Sequence, residues 1–233
     1  MPTRAAVRTA LCATALLAPL GSAGEPTVVE LFTSQGCSSC PPADAALAQL
    51  AGRDDVLALS FHVDYWDRLG WKDPFSSRAW TRRQHDYADR MGSDRVYTPQ
   101  MVIDGTIDAL GSRPASVAAG LERAAAGPEK LVIGAEHSDT GWVLDIPAAA
   151  APLEGVALLV GYRAAERTAV PRGENTGRTL HHVNVVDALT ELSDWDGAAL
   201  SLAVPAASVT SDHAAVLLQD LATGRIVGVE RLR

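Results

Sequence analysis

Cysteine is nearly missing from this chain: three occur in 233 residues, and one of them, Cys12, falls in the first apolar stretch. A disulfide-stapled scaffold is thereby excluded, because such scaffolds carry many cysteines that close long loops. No second Cys-x-x-Cys accompanies Cys37 and Cys40, so the four thiolates of a structural zinc site are lacking as well. Basic residues are also in deficit, 20 Lys and Arg against 28 Asp and Glu, which argues against nucleic acid as a partner. No run of eighteen uninterrupted apolar residues occurs, so no membrane span is expected. No cofactor motif stands out.

What is present begins with a leader. Arg4 and Arg8 supply a positive n-region, Leu11 to Leu20 an apolar h-region, and Gly21-Ser22-Ala23 a small-residue cleavage site. Residues 1–23 therefore read as a signal peptide, and the mature chain as secreted or periplasmic. Loss of the two leader arginines takes the net charge from −8 to −10. The residues ahead of Cys12 do not suit lipoprotein processing, so no lipid anchor is expected.

In an oxidising compartment the pair Cys37-Ser38-Ser39-Cys40 is poorly suited to be a staple. Chain entropy gives a four-residue ring roughly 2 kcal/mol, against about 3 kcal/mol for fifteen residues. Redox work is the better reading. Thr27 to Thr33 is apolar and β-branched enough for a strand, Ser34-Gln35-Gly36 is a turn, and Pro41-Pro42 suit the first turn of a helix reaching Gly52. Val56 to Val63 is a near-continuous apolar run, as in a strand covered on both faces. A second helix is expected from Ser77 to Met91, strands from Gln100 to Ile103 and Thr106 to Leu110 around Asp104-Gly105, and a third helix from Ser112 to Gly127. Beyond Gly127-Pro128 the texture changes to short apolar runs separated by turns: Leu131 to Ala135, Trp142 to Ile146, Val156 to Tyr162, His181 to Val186, Ala199 to Val204, Ala214 to Leu218 and Ile226 to Val229.

The order βαβ, α, ββα, with Cys-x-x-Cys opening the first helix and Thr98-Pro99 opening the third strand, resembles the thioredoxin fold. The resemblance implies an α/β thioredoxin-like domain over residues 24–128, followed by a small all-β, sandwich-like domain over 129–233. It also implies a cis Pro99, preceded by Thr98 and facing the cysteines. The longer phrases VELFTSQGCSSCPPAD, HVDYWDRLGWKDPF, YTPQMVIDG and RGENTGR are similar to secreted bacterial proteins grouped as domain of unknown function 1223, a family that brings no established activity.

The thiolate is the nucleophile of disulfide exchange, and Cys37, at a helix N-terminus, is placed to have its charge stabilised by orphan amide protons. Cys40, one turn on, is the expected resolving thiol. Ser38-Ser39 supplies no histidine, so the redox direction stays open. Glu30 is either a buried acid that relays a proton to Cys40 or a strand glutamate in solvent. His62 either stabilises the thiolate, binds metal with the cysteines, or is a core histidine bonded to a loop. Tyr65, Trp66 and Trp71 either wall a substrate groove or fill the core. Arg82 and Arg83 read as a solvated face, unless one pairs with an acid near the site. Arg172 to Arg178 reads as a polar loop that caps the thiols, binds a partner or is a structured turn, and His181-His182 point to opposite strand faces.

Three functions follow. The first is an exported thiol-disulfide oxidoreductase acting on a protein thiol or disulfide substrate with a separate redox partner. The second is a metal-delivery module holding a soft ion such as Cu(I) with both thiolates and His62. The third is a binding protein that has kept the scaffold without its chemistry.

Overall fold

Seven of the strands come from the second half of the chain, and they decide the architecture. A computed structural model describes residues 24–232. The leader expected over residues 1–23 lies outside the described residues.

The chain runs β1 (Thr27–Thr33), α1 (Pro41–Ala51), β2 (Val56–His62), α2 (Arg78–Arg90), β3 (Gln100–Ile103), β4 (Ile107–Leu110) and α3 (Pro114–Ala125). It continues with β5 (Gly134–Ser138), β6 (Gly141–Ile146), β7 (Gly155–Ala169), β8 (Thr179–Trp195), β9 (Leu200–Pro205), β10 (His213–Asp220) and β11 (Ile226–Leu232). Proline at the first turn starts α1 and α3, while the Ser77 hydroxyl accepts from Ala79 N and caps α2. Asp104 and Gly105, both at positive φ, make the tight turn between β3 and β4.

Eight strands form one mixed sheet in the order β11-β10-β7-β8-β2-β1-β3-β4, and β5-β6-β9 form a second. β1 and β2 run parallel, and β3 lies antiparallel on the other side of β1. Without a further partner, β2 would leave a row of backbone donors and acceptors unpaired at an edge. β8 takes that place. It runs parallel to β2 with Ser60 opposite Val185, and the Asn184 side chain, on a residue at φ 48°, donates to Ala58 O at 2.8 Å.

This corrects the expected fold class. The described residues are mostly β, an eight-stranded mixed sheet plus a three-stranded one with three α-helices, and not an α/β thioredoxin-like fold followed by a small all-β sandwich. The strands of the second half extend the sheet of the first, so the core crosses with them. Phe32, Phe61, Trp80 and Tyr87 pack in one cluster with Val160, Leu217 and Val229. α1 and α3 cover the opposite face through Leu47, Leu50 and Val117. The three-stranded sheet lies over a third cluster of Leu144, Ile146, Leu159 and Leu218.

β7 and β8 run well past the apolar segments that predicted them. The outer half of β7 is largely exposed and pairs with β8 from Arg163 opposite Val185 to Ala169 opposite Thr179. This hairpin carries residues 174–175 to the turn ahead of α1.

Candidate functional site

Cys37 and Cys40 form a disulfide across three bonds of sequence, with their Cα atoms 5.5 Å apart. The turn after β1 delivers them: Cys37 N donates to Ser34 O at 3.1 Å and Cys40 N to Cys37 O at 3.3 Å. Cys40 then caps α1. Both cysteines are 0% exposed, whereas Ser38 and Ser39 between them are open to solvent.

The cover is the β7–β8 loop. Buried Asn175 donates from Nδ2 to Gln35 O at 2.9 Å and to Cys37 O at 3.0 Å. Its own oxygen accepts from Arg178 at 2.9 Å. The Glu174 carboxylate accepts from Ser38 N at 3.0 Å, and its bonds to the Ser38 hydroxyl and amide hold it below the usual carboxylate range. Gly173, at φ +83°, packs on the Trp71 Cβ; any side chain there would be strained by both its backbone and its neighbour.

Beneath the turn lies a buried polar cluster. Asp73 Oδ2 accepts from Gln35 N at 2.8 Å and bonds His62 Nδ1 at 2.7 Å. Burial works to raise the Asp73 carboxyl, but the His62 ring and the amide protons of Gln35 and Phe75 outweigh it and hold Asp73 below its ordinary value. The His62 ring meets the His182 ring edge-on, 4.6 Å between centroids. Trp71 Nε1 donates to Gln35 Oε1 at 3.0 Å, so the other end of that amide, the NH₂, is the one facing His182 Nε2 at 3.4 Å. His182 Nδ1 then lies 3.7 Å from Asp44 Oδ1, and Asp44 accepts from the Thr33 hydroxyl at 2.9 Å. His62 Nε2 and His182 Nδ1 find no hydrogen-bond partner among the described residues.

A third wall comes from the loop after β2. Trp66 Nε1 donates to Thr98 Oγ1 at 2.8 Å, and the Trp66 Cβ is so close to Gly36 that a Cβ added there would meet it at 3.0 Å. Thr98-Pro99 is a cis peptide. Pro99 O accepts from Gly111 N at 3.0 Å, and Gly111 in turn packs on Ala43 of α1. That carbonyl is therefore engaged within the protein. Tyr65 donates to Gln84 Oε1 at 3.3 Å, and burial pushes its phenol up to about 12.

The structure thus brings Cys37, Cys40, Trp66, Thr98 and Pro99 to one end of the sheet, and His62 beneath them. Glu30 it places elsewhere. On β1 Glu30 alternates with Val29 and Leu31, which face α1, and so points to α2, where Arg83 donates to its Oε1 at 2.9 and 2.8 Å. His62 is committed to Asp73 through Nδ1. Among the described residues no three His, Cys, Asp or Glu side chains gather to hold a metal ion, and no helix is long and apolar enough to cross a membrane.

Sequence reasoning passed over Asp44, Asp73, Gln35 and, within the flagged polar loop, Glu174 and Asn175. Asp44 carried a legible signal: it stands four residues after Cys40 on an otherwise apolar or alanine face of α1. Of His181 and His182, alternation along β8 sends His182 inward and leaves His181 exposed.

The fold and the site define a mostly β protein with a small disulfide ring closed at a helix start and roofed by a hairpin loop. The chain belongs to the family described as Protein of unknown function (DUF1223), whose model matches residues 28–219. Its structure is similar to the X-ray crystal structure of an Agrobacterium tumefaciens protein, a target of the Northeast Structural Genomics Consortium, at 32% identity and TM-score 0.76, covering 90% of this chain and 94% of that one. It also shares its fold with HBP35 of Porphyromonas gingivalis, at 13% identity and TM-score 0.55, covering 89% of this chain and 74% of that one. No curated protein matches the chain.

Proposed function

We propose that this chain is an exported thiol-disulfide exchange protein, in which Cys37 is the nucleophile toward a protein substrate and Cys40 resolves the mixed disulfide. The observation that carries the reading is the nature of the cover. A loop fastened by hydrogen bonds that Asn175 donates to Gln35 and Cys37 and that Glu174 accepts from Ser38 opens at far lower cost than a roof of packed apolar side chains. The ring itself adds only roughly 2 kcal/mol to stability on the chain-entropy model, so a purely structural role explains little.

The chemistry balances without any further group. A substrate thiolate attacks Cys37 Sγ, the Cys37–Cys40 bond breaks, and Cys40 leaves as a thiolate that takes a proton. A second substrate thiolate attacks the mixed disulfide at the substrate sulfur and releases Cys37. Two electrons and two protons pass from the substrate thiols to the protein, and the reverse sequence reduces a substrate disulfide.

The test is reshuffling of a scrambled disulfide protein. Catalysis by the native chain that disappears in Cys37→Ser supports exchange; activity retained in that variant contradicts it. The full burial of both cysteines favours a second reading, a binding protein whose disulfide is inert. It predicts no catalysis in the native chain and partner capture that survives Cys37→Ser combined with Cys40→Ser.

A further inference from the structure

We propose that Asp44 is the carboxylate that takes and returns the Cys40 proton, with His182 as its positioning residue. The inference rests on the exchange reading, and it replaces Glu30, which Arg83 holds on the other face of the sheet. Asp44 stands four residues after Cys40 in α1, and its amide donates to Cys40 O at 3.1 Å, so the two side chains lie on one helix face with Cβ atoms about 6 Å apart. The Asp44 side chain is only 6% exposed. Behind it stands His182, 1% exposed. Because Gln35 donates to His182 Nε2, Nδ1 is the ring nitrogen that carries a proton, and it faces Asp44 Oδ1 from 3.7 Å. The gap is too long for a hydrogen bond and too short to hold a bridging water.

A buried N–H left short of a carboxylate is a rare arrangement, and a functional poise is one of the few explanations for it. Here Asp44 Oδ1 is anchored beside His182 by the Thr33 hydroxyl at 2.9 Å, and from that position the carboxylate takes the proton of the sulfur and closes on His182 once the sulfur has attacked. His182 is itself aimed by a chain of contacts, Gln35 on one nitrogen and the His62–Asp73 pair against its ring, with Trp71 fixing Gln35. This is the logic of nucleophile, base and orienting group. Asp44 also borders a groove of about 440 Å³ between α1 and β8, lined by Pro41, Ala45, Ala48, Leu180 and Val183, which gives its proton an exit to solvent. The other charged groups around the pair are Arg178 and exposed His181 in that groove, His62 with Asp73 beneath, and Glu166 across from His182 on β7, bonded to Arg163.

The experiment uses the reduced full-length mature protein and dithiobis-nitrobenzoate. Cys37 thiolate breaks the probe disulfide, releasing one thionitrobenzoate and leaving a mixed disulfide. Cys40 then gives its proton to Asp44, its sulfur attacks Cys37 Sγ, and the second thionitrobenzoate leaves. The two releases are read as two phases. Asp44→Asn is expected to leave the first phase unchanged and slow the second about 100-fold, the ordinary size of general base catalysis. The native second phase is expected to be flat from about pH 6 to 8, while that of Asp44→Asn rises roughly tenfold per pH unit with the thiolate fraction. His182→Gln should fall between them and keep the pH profile of the native protein.

A second phase of native speed and profile in both variants overturns the role of Asp44 and leaves exchange standing. Loss of the first phase in the native protein overturns the exchange reading, and the proposal with it. Should Asp44→Asn fail to fold, the native profile decides alone: a second phase that climbs roughly tenfold per unit from about pH 5 has no carboxylate base, and the proposal fails.

Discussion

Asn175 donates one amide nitrogen to two backbone oxygens, Gln35 O at 2.9 Å and Cys37 O at 3.0 Å, across 140 and 138 residues of sequence. It is the bolt of the cover over the disulfide, and it is 1% exposed. Asn175→Ala removes both bonds and leaves Gln35 O short of a donor, while Cys37 O keeps Cys40 N, at a cost of about 1–3 kcal/mol in global stability. Its larger effect is on access: reduction of the native disulfide by dithiothreitol is expected to accelerate by about tenfold, the equivalent of 1.4 kcal/mol taken from the closed loop. An unchanged reduction rate at native conditions would show that the loop does not govern entry.

Arg83 and Glu30 test the separation of the two faces of the sheet. The pair is buried, 10% and 1% exposed, with the guanidinium also bonded to Tyr87 Oη at 2.7 Å and lying over the Tyr87 ring at 4.9 Å. Arg83→Ala leaves a buried carboxylate without its partner, and a loss of about 3–5 kcal/mol is expected in urea unfolding. Glu30→Gln keeps the shape of the site, and cysteine reactivity in that variant should match the native protein. A change of Cys40 reactivity in Glu30→Gln would return Glu30 to the chemistry.

Asp73 sets the acid limit of the fold. Its folded carboxyl is held below the ordinary value by His62 and two amide protons, so the unfolded chain binds that proton more readily than the native one. The stabilisation is complete above the ordinary carboxylate value of about 4 and is lost as pH falls through the lower folded value. Native protein should therefore lose stability progressively below about pH 4, while Asp73→Asn, less stable at neutral pH, gives a flatter acid limb. Parallel stability curves for the two proteins over that interval would contradict the assignment.

The local elements were legible, and their assembly was not. Prolines 41, 42 and 114, the Ser77 cap and the Asp104-Gly105 turn mark boundaries that depend on neighbours in sequence, and α1, α2, α3 and the β3–β4 turn begin or end there. The apolar runs of the second half each hold part of a strand. That β8 would run beside β2, through Ser60 and Val185, is a pairing across 125 residues that no local pattern encodes, and it joins strands of both halves in one eight-stranded sheet. The outer half of β7 is largely exposed and mixes charged residues with alanines, so periodicity could not extend that strand or foresee the hairpin that roofs the cysteines.

The site divides in the same way. Cys37, Cys40 and Pro99 announce themselves by spacing and context. The burial of His62 against Asp73 follows from the loop between β2 and α2 folding back on itself, with Asp67 accepting from Asp73 N and from the Ser76 hydroxyl. His182 reaches the cluster only because β8 joins the sheet.

The most direct measurement is the equilibrium between oxidised and reduced Cys37–Cys40 in a graded series of glutathione or dithiothreitol buffers. Exchange by Cys37 and Cys40 predicts a potential above about −230 mV, in the range of proteins that exchange disulfides with others. A potential below about −300 mV, the range of inert structural bonds, contradicts it.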